Sequence, residues 1–460
     1  MPFRWSPREH LSLAIYVLKW LCLSSPVGAV VGSACALFLW SLEKATMARF
    51  VVPWLLFGLP FAGAGIGLLY SHFGKPAEGG NNLLMDAIHG EDIGDSAIVV
   101  PRRMAPLILF ATVVTHLFGG SAGREGTAIQ MGGSIASAMG RWLNVGKDDM
   151  RILLMVGISA GFGGIFGTPI AGTVFAMEVL AVGRMNYDAM IPCLIGAIIG
   201  DLSCVAWGIH HTRYSISTAA FSLHSLSWIL AVKTAFAAIL FGMASVLFAE
   251  MTHGIGNIFK RLIRIPYLRP VVGGVLVIVL VYILGTRDFL GLGVFSPEPG
   301  SITISSCFSN MGADNWSWWW KMLFTAITLG SGFKGGEVTP LFFIGAALGN
   351  VLGRILGAPV DLFAGLGFVA VFAGAANTPL ACTLMGIELF GSQYAIYFAI
   401  ACFLSYLCSG HSGIYLSQMI GSPKLKSPHL PPLATLRVAR ELRPGWINFH
   451  IRRGDENKKK

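Results

Sequence analysis

Glu125 lies in Gly119-Gly120-Ser121-Ala122-Gly123-Arg124-Glu125-Gly126-Thr127, with apolar stretches on both sides. An ionisable side chain in such surroundings is costly unless it has a task or a partner. The flanking glycines let backbone N–H groups face a cavity. Unsatisfied N–H groups at a helix N-terminus hold anions, helped by the positive end of the helix dipole. Two chemistries compete for Glu125. As a carboxylate it can occupy such an anion site and leave it once protonated, which links proton movement to anion movement. It can equally form a structural ion pair with Arg124 or cap the helix start.

A second segment, Gly332-Phe333-Lys334-Gly335-Gly336-Glu337-Val338-Thr339-Pro340, again sets glycines before an apolar run. A helix is expected to begin near Thr339 and Pro340, because proline is tolerated in a first turn. The Thr339 hydroxyl can donate to an anion or act as an ordinary N-cap. Glu337 is a second candidate for proton or charge control. Phe342 and Phe343 can offer positive ring edges or simply pack. In Gly79-Gly80-Asn81-Asn82-Leu83 either asparagine can donate two hydrogens, although turn chemistry explains the same residues. Tyr415 adds a hydroxyl near the end of the last apolar stretch, where an interfacial tyrosine is also ordinary.

A rival chemistry comes from Gly157-Ile158-Ser159-Ala160-Gly161, which fits the pattern of a serine nucleophile, with His116 and His411 in or near apolar segments. An intramembrane serine protease would use such parts. The nucleophile elbow needs a strand-to-helix turn, however, and here the motif continues into Phe162-Gly163-Gly164, where small residues serve helix packing. The eight cysteines are scattered without a CxxC pair and read as small core residues, so neither a metal nor another cofactor is implied.

The elements that position these residues belong to a membrane. Of the 460 residues, 54% are hydrophobic and only 12% charged, against about 25% charged in a soluble domain. Long apolar runs cover Leu11 to Leu42, Val51 to Tyr70, Ile152 to Leu180, Trp228 to Phe248 and Leu380 to Cys408, each comparable to the ~20 residues that span hydrocarbon. The first lacks an A-x-A cleavage site and is too long for a signal peptide, so it reads as one long, tilted or bent helix. The 57 glycines concentrate within apolar regions, where they permit close helix contact or helix breaks. Met104 to Phe118, Pro340 to Leu356 and Leu362 to Ala376 are short for a full crossing, as in transporters with discontinuous helices.

The chain also resembles itself. Gly123 to Thr127 pairs with Gly335 to Thr339, and Gly167-Thr168-Pro169-Ile170-Ala171 with Glu178 pairs with Asn377-Thr378-Pro379-Leu380-Ala381 with Glu388. Two pairs in one order point to two homologous halves with a site at their interface. The expected division is a basic N-terminal segment (1–10), membrane repeats over 11–210 and 211–420, and a short basic tail (421–460) without a further folded domain. Residues 288–320 read as a loop with an interfacial tryptophan belt. The net charge of +10 gathers at Arg4 and Arg8 and at Arg437, Arg440, Arg443, Arg452, Arg453 and Lys458 to Lys460. Basic flanks favour the cytoplasm, so both termini are expected there with an even number of crossings. The tail has no aromatic platform, and nucleic acid is not an expected partner.

With these residues in place, the chain resembles the CLC family of anion channels and proton-coupled antiporters over about 11–420. Gly123-Arg124-Glu125-Gly126 is similar to the family's gating-glutamate motif, Gly335 to Pro340 to its second anion-binding loop, and Phe166 to Glu178 to its asparagine/proline helix start. The resemblance implies an all-α polytopic membrane protein of two inverted-topology repeats with broken helices. It also implies a homodimer in the bilayer with one pathway per subunit, and Glu125 as external gate and proton carrier. The departures are informative. Gly80-Asn81-Asn82-Leu83-Leu84 replaces Gly-Ser-Gly-Ile-Pro, Thr127 replaces a proline, and the second loop carries Glu337 and Thr339. These variants resemble the fluoride/proton antiporter branch. Val179 stands where chloride/proton exchangers commonly place an internal glutamate, beside Glu178; a passive chloride channel could lack that group too.

By the same resemblance Asn81, Thr339 and Tyr415 fall at anion-coordinating positions, with backbone at Gly123, Arg124, Gly126 and Val338; Asn82 remains an alternative to Asn81. Fluoride is small and tightly hydrated, so a selective site must supply several strong donors, although the same donors would also hold a larger halide. The implied activity is exchange of cytoplasmic fluoride for an inward proton in a cell inner membrane. A chloride channel or chloride/proton exchanger of the same fold is the alternative.

Overall fold

The first apolar run forms a single helix of 45 residues, α1 (Pro7–Val51), with Pro26 inside it. The computed structural model describes residues 7–90, 99–212, 214–216, 227–425, 431 and 433–442. Arg4, Arg443, Arg452, Arg453 and Lys458 to Lys460 lie outside the described residues. Pro53 follows α1, so the run expected from Val51 to Tyr70 is instead a 3-10 turn (Pro53–Gly58) leading into α2 (Leu59–Leu69) and a wide turn at Tyr70–Gly74. The first half continues with α3 (Asn81–His89), α4 (Met104–Leu117), α5 (Glu125–Trp142), α6 (Lys147–Phe166), α7 (Pro169–Glu178) and α8 (Met190–Ala206).

The second half begins at α9 (Trp228–Leu262), capped by the Ser227 hydroxyl, which accepts from the Leu230 N–H at 3.4 Å. It runs through α10 (Leu268–Leu284), α11 (Ser317–Ser331), α12 (Val338–Leu356), α13 (Val360–Ala376), α14 (Pro379–Phe390) and α15 (Ala395–Cys408). The order α1, α2, α4 to α8 thus recurs as α9, α10, α11 to α15. The tryptophans read as part of a loop belong to the start of α11.

The runs expected over Ile152 to Leu180 and Leu380 to Cys408 are each broken into two helices. After α6 the chain turns at Gly167 (φ 71°), and at the equivalent place after α13 it turns at Asn377 (φ 58°). Both residue types accept the left-handed conformation. A threonine and a proline follow in both halves, with the proline opening α7 or α14.

The two new helices then cap one another. Glu178, the last residue of α7, accepts from the N–H groups of Leu380 and Ala381 at 3.1 and 2.9 Å. Glu388 of α14 accepts from Ile170 and Ala171 at 3.0 and 2.8 Å. Each carboxylate satisfies orphan donors at the other helix's N-terminus, which requires α7 and α14 to lie antiparallel. A Cβ at Gly67 of α2 would stand 2.6 Å from Tyr267, just before α10, whereas one at Gly274 of α10 would stand 2.9 Å from Pro60 at the start of α2. That pair is antiparallel as well, so the repeats are inverted and the molecule is a polytopic all-α membrane protein.

Glycine sets the close contacts between neighbouring helices. Gly132 of α5 abuts the carbonyl of Gly157 in α6, and Gly345 of α12 abuts that of Gly367 in α13, with no room for a side chain at either place. Ser159 lies in the middle of α6 and donates to the Cys193 carbonyl at 2.7 Å, without the strand-to-helix turn that a nucleophile elbow needs. The described part of the segment after Tyr415 folds back onto the body. The two-residue strand β1 (Ala181–Val182) pairs in parallel with β2 (Met419–Ile420). The short helix α16 (Leu436–Leu442) closes over Val182 and Ile420, and Arg440 forms an ion pair with Glu250 at 2.9 Å.

Candidate anion site

The two glycine-rich segments meet between the repeats. The Gly123 N–H donates to the Gly336 carbonyl at 2.6 Å, and the Gly336 N–H returns a bond to the Gly123 carbonyl at 2.7 Å. A Cβ on Gly336 would lie 2.7 Å from the Gly126 nitrogen, so only glycine permits the approach. This reciprocal pair brings the N-termini of α5 and α12 together. Their leading N–H groups, at Gly126 and Val338, have no intrahelical acceptor.

Glu125 opens α5 and is fully buried. Its carboxylate reaches the start of α12, where it accepts from the Thr339 N–H at 2.9 Å and from the Thr339 hydroxyl, which lies 2.7 and 2.6 Å from the two oxygens. The Arg124 N–H donates at 3.1 Å, and the Arg124 guanidinium stands 3.5 Å away. The carboxylate therefore occupies a cradle of donors suited to a small anion. The ion pair with Arg124 exists beside that arrangement, not instead of it. Helix α12 starts one residue earlier than expected, at Val338, and Glu337 takes the N-cap position. Thr339 consequently points its hydroxyl at Glu125 and does not serve as an N-cap.

A cavity with about 20 Å³ of room for the centre of a water-sized species adjoins Glu125 and is lined in part by Arg124, His211, Tyr214, Thr339 and Phe342. That space holds roughly one such species. The Phe342 ring stacks on Phe368 at 4.0 Å. Phe343 turns away, with the Lys321 ammonium 5.4 Å from its ring centroid and Phe289 at 6.2 Å, so only the first of the two expected aromatic residues reaches the cavity.

Asn81 approaches from α3. A Cβ on Gly126 would stand 3.1 Å from the Asn81 amide nitrogen, and the Asn81 side-chain oxygen is buried without a partner. The Asn82 oxygen instead accepts from the Ser417 N–H at 2.9 Å. Tyr415 is 2% exposed, and its hydroxyl also lacks a partner among the described residues. Glu337 is half-buried behind Gly336.

Around these groups lies a polar support whose pairings no motif signalled. The Thr127 hydroxyl pairs with that of Thr112 at 2.8 Å, Ser121 pairs with Thr325 across the repeats at 2.9 Å, and a ring nitrogen of His116 meets the Ala122 carbonyl at 3.0 Å. His211 was missed for the same reason, since it follows an apolar helix with no patterned neighbours. Its nearness to Glu125 arises only on folding.

A bilayer-spanning body of inverted repeats, whose broken helices converge on a buried carboxylate, defines the class of this protein. The model of the voltage gated chloride channel family matches residues 62–410, and the chain belongs to this CLC family. It is 48% identical to a chloride/fluoride channel protein of Pseudomonas syringae pv. tomato over 91% of this chain and 90% of the relative. The fold is similar to the crystal structure of a CLC-type fluoride/proton antiporter, with a TM-score of 0.80 and 33% identity, covering 87% of this chain and 98% of that one. A slow cyanobacterial chloride/proton antiporter shares the fold at a TM-score of 0.68 and 20% identity, over 85% of this chain and 94% of that one.

Proposed function

We propose that this protein exports fluoride in exchange for an inward proton, with Glu125 as both gate and proton carrier. The observation that carries the reading is the Glu125 carboxylate seated on the Thr339 N–H and hydroxyl. Ionised, it competes with fluoride for those donors. Protonation removes the charge from these bonds, and a hydrogen bond to a charged group contributes about 2 kcal/mol, so the neutral side chain yields its place to the anion.

Asn81, Tyr415 and the amides of Gly123, Arg124, Gly126 and Val338 complete the proposed donor set. Several strong donors are what a small, tightly hydrated anion needs in place of water. Glu337, at the α12 N-cap, is assigned a part in charge control. With Val179 following Glu178, the proton is assigned to movements of Glu125 and not to a second internal carboxylate. We assign the functional unit as a homodimer in the cell inner membrane, each subunit carrying its own pathway between repeats that divide near residue 210.

The likeness to a fluoride/proton antiporter structure and to a chloride/fluoride channel protein supports the substrate class. The channel name of the second relative keeps passive halide conduction as the competing reading. A fluoride electrode on proteoliposomes, with a chloride control and a pH-sensitive dye, separates them. Fluoride release far faster than chloride release, accompanied by opposed proton uptake, is expected; equal rates for the two halides reject the selectivity. Glu125→Gln, which mimics the protonated side chain, is expected to reduce exchange greatly, and normal proton coupling in that variant would remove Glu125 from the mechanism.

A further inference from the structure

His211 follows α8 and belongs to the wall of the Glu125 cavity. It lines the space shared with Glu125, yet 18% of its side chain remains exposed. Helix α8 runs alongside α1 in the same direction, since Tyr16 bonds the Asp188 carbonyl at 2.8 Å and Trp207 bonds Ser33 at 2.9 Å. His211 therefore stands on the membrane side toward which α1 and α8 both run. The ring rests on Gly167, where a Cβ would come within 2.6 Å of Cδ2, so the glycine that ends α6 also makes room for the imidazole.

The His211 Nε2 atom faces the Oδ1 atom of Asp201, on α8, at 3.6 Å. Both atoms are buried, and neither has a hydrogen-bond partner among the described residues. Two buried polar atoms left facing each other are costly, and protonation of the imidazole turns the contact into an ion pair. Among the described residues, the other charged or titratable groups around this pair are Arg124 and Glu125 from the start of α5, Tyr214 from the segment after α8, Cys204 on α8, and Glu388 on α14, which lies near Asp201. Arg124 and Glu125 offset one another at 3.5 Å, and Glu388 is engaged by the α7 N-terminus. Asp201 is thus the carboxylate set directly against the His211 imidazole.

We propose that His211, held by Asp201, is the residue that loads the solvent proton onto Glu125. This rests on the antiport reading above. The imidazolium N–H bond breaks, the proton crosses the water-sized space, and an O–H bond forms on the Glu125 carboxylate. The neutral imidazole then regains a proton from solvent. Hydronium is scarce near neutrality, whereas an imidazole holds protons in that range, so a group of this kind at the mouth shortens the wait for each turnover. Neither residue belongs to the proposed donor set, so fluoride binding is expected to persist without them.

The test is the proton-coupled fluoride flux of the full chain in liposomes as a function of external pH. His211→Gln is expected to lower it about tenfold at an external pH near 8 and little near 5.5, where free protons reach Glu125 directly. Asp201→Asn should lower the flux near pH 8 as His211→Gln does, because the carboxylate that faces the imidazole is lost. Imidazole added outside should restore His211→Ala, with fluoride binding by calorimetry unchanged throughout. A wild-type pH profile in His211→Gln overturns the proposal. So does a loss that is equal at every pH and resists imidazole rescue, since that is the mark of a merely structural residue. Should the glutamine variant fail to fold, Asp201→Asn decides the matter, and a wild-type pH profile in that variant overturns the proposal. Wild-type liposomes that move fluoride without proton uptake reject the antiport reading itself, and that outcome is distinct from coupled flux left unaltered in the variants.

Discussion

Thr339 offers Glu125 a backbone N–H and a hydroxyl from one residue, and its hydroxyl lies within 2.7 Å of both carboxylate oxygens. Thr339→Val keeps the shape and the N–H but removes the hydroxyl. A bond to a charged group is worth about 1.5–3 kcal/mol, so fluoride affinity should fall roughly tenfold or more, whereas Thr339→Ser should bind as the wild type does. Calorimetric titration with fluoride measures both, and unchanged affinity in the valine variant would take the hydroxyl out of the site. Glu125 and Thr339 were legible in the sequence because a carboxylate among glycines in an apolar chain is costly enough to demand a reason. Orientation was not legible. Neighbouring helical positions differ by about 100° in direction, and only the packed helix separates Phe342, on the cavity, from Phe343, against Lys321.

At the scale of elements, the reciprocal caps of α7 and α14 join the two repeats through charge-assisted bonds. Glu178→Ala and Glu388→Ala should each cost about 1–2 kcal/mol, the ordinary loss when a helix start is stripped of its cap. The double variant should lose close to the sum, because each carboxylate serves a different helix end. Denaturant unfolding in detergent reads these losses; single variants as stable as the wild type would show that water replaces the caps freely. The repeated Thr-Pro and glutamate signals were visible in the sequence, and so were the breaks expected from glycine. What those signals could not show is that each glutamate crosses to the other repeat, since a capping partner some 200 residues away leaves no local pattern. Hydropathy alone did not mark the division of Ile152 to Leu180 into two helices, because its residues stay apolar across the turn at Gly167.

At the scale of the whole molecule, the distribution of charge predicts an orientation in the membrane. Lys19, in the N-terminal half of α1, meets Asp149 at 2.6 Å, and Arg141 donates to the Val100 carbonyl at 3.1 Å. Arg102, Arg103, Arg141, Lys147 and Arg151 therefore share the side of the N-terminus. The contact of Gly67 with Tyr267 brings the α9 to α10 turn, with Lys260, Arg261, Arg264 and Arg269, to that same side. The pairing of Arg440 with Glu250 adds the last described helix, α16. Basic residues near helix ends stay in the cytoplasm, so that side should be the inner one, and the cavity with His211 should face outward. Membrane-impermeant maleimide tests this on a background without the exposed Cys22 and Cys408. Lys147→Cys should label only in inverted vesicles, and Lys44→Cys, near the other end of α1, only in intact cells. The opposite pattern would turn the protein over. His211 would then face the cytoplasm, and the proton that loads Glu125 would have to come from inside the cell, which is incompatible with fluoride leaving against an inward proton.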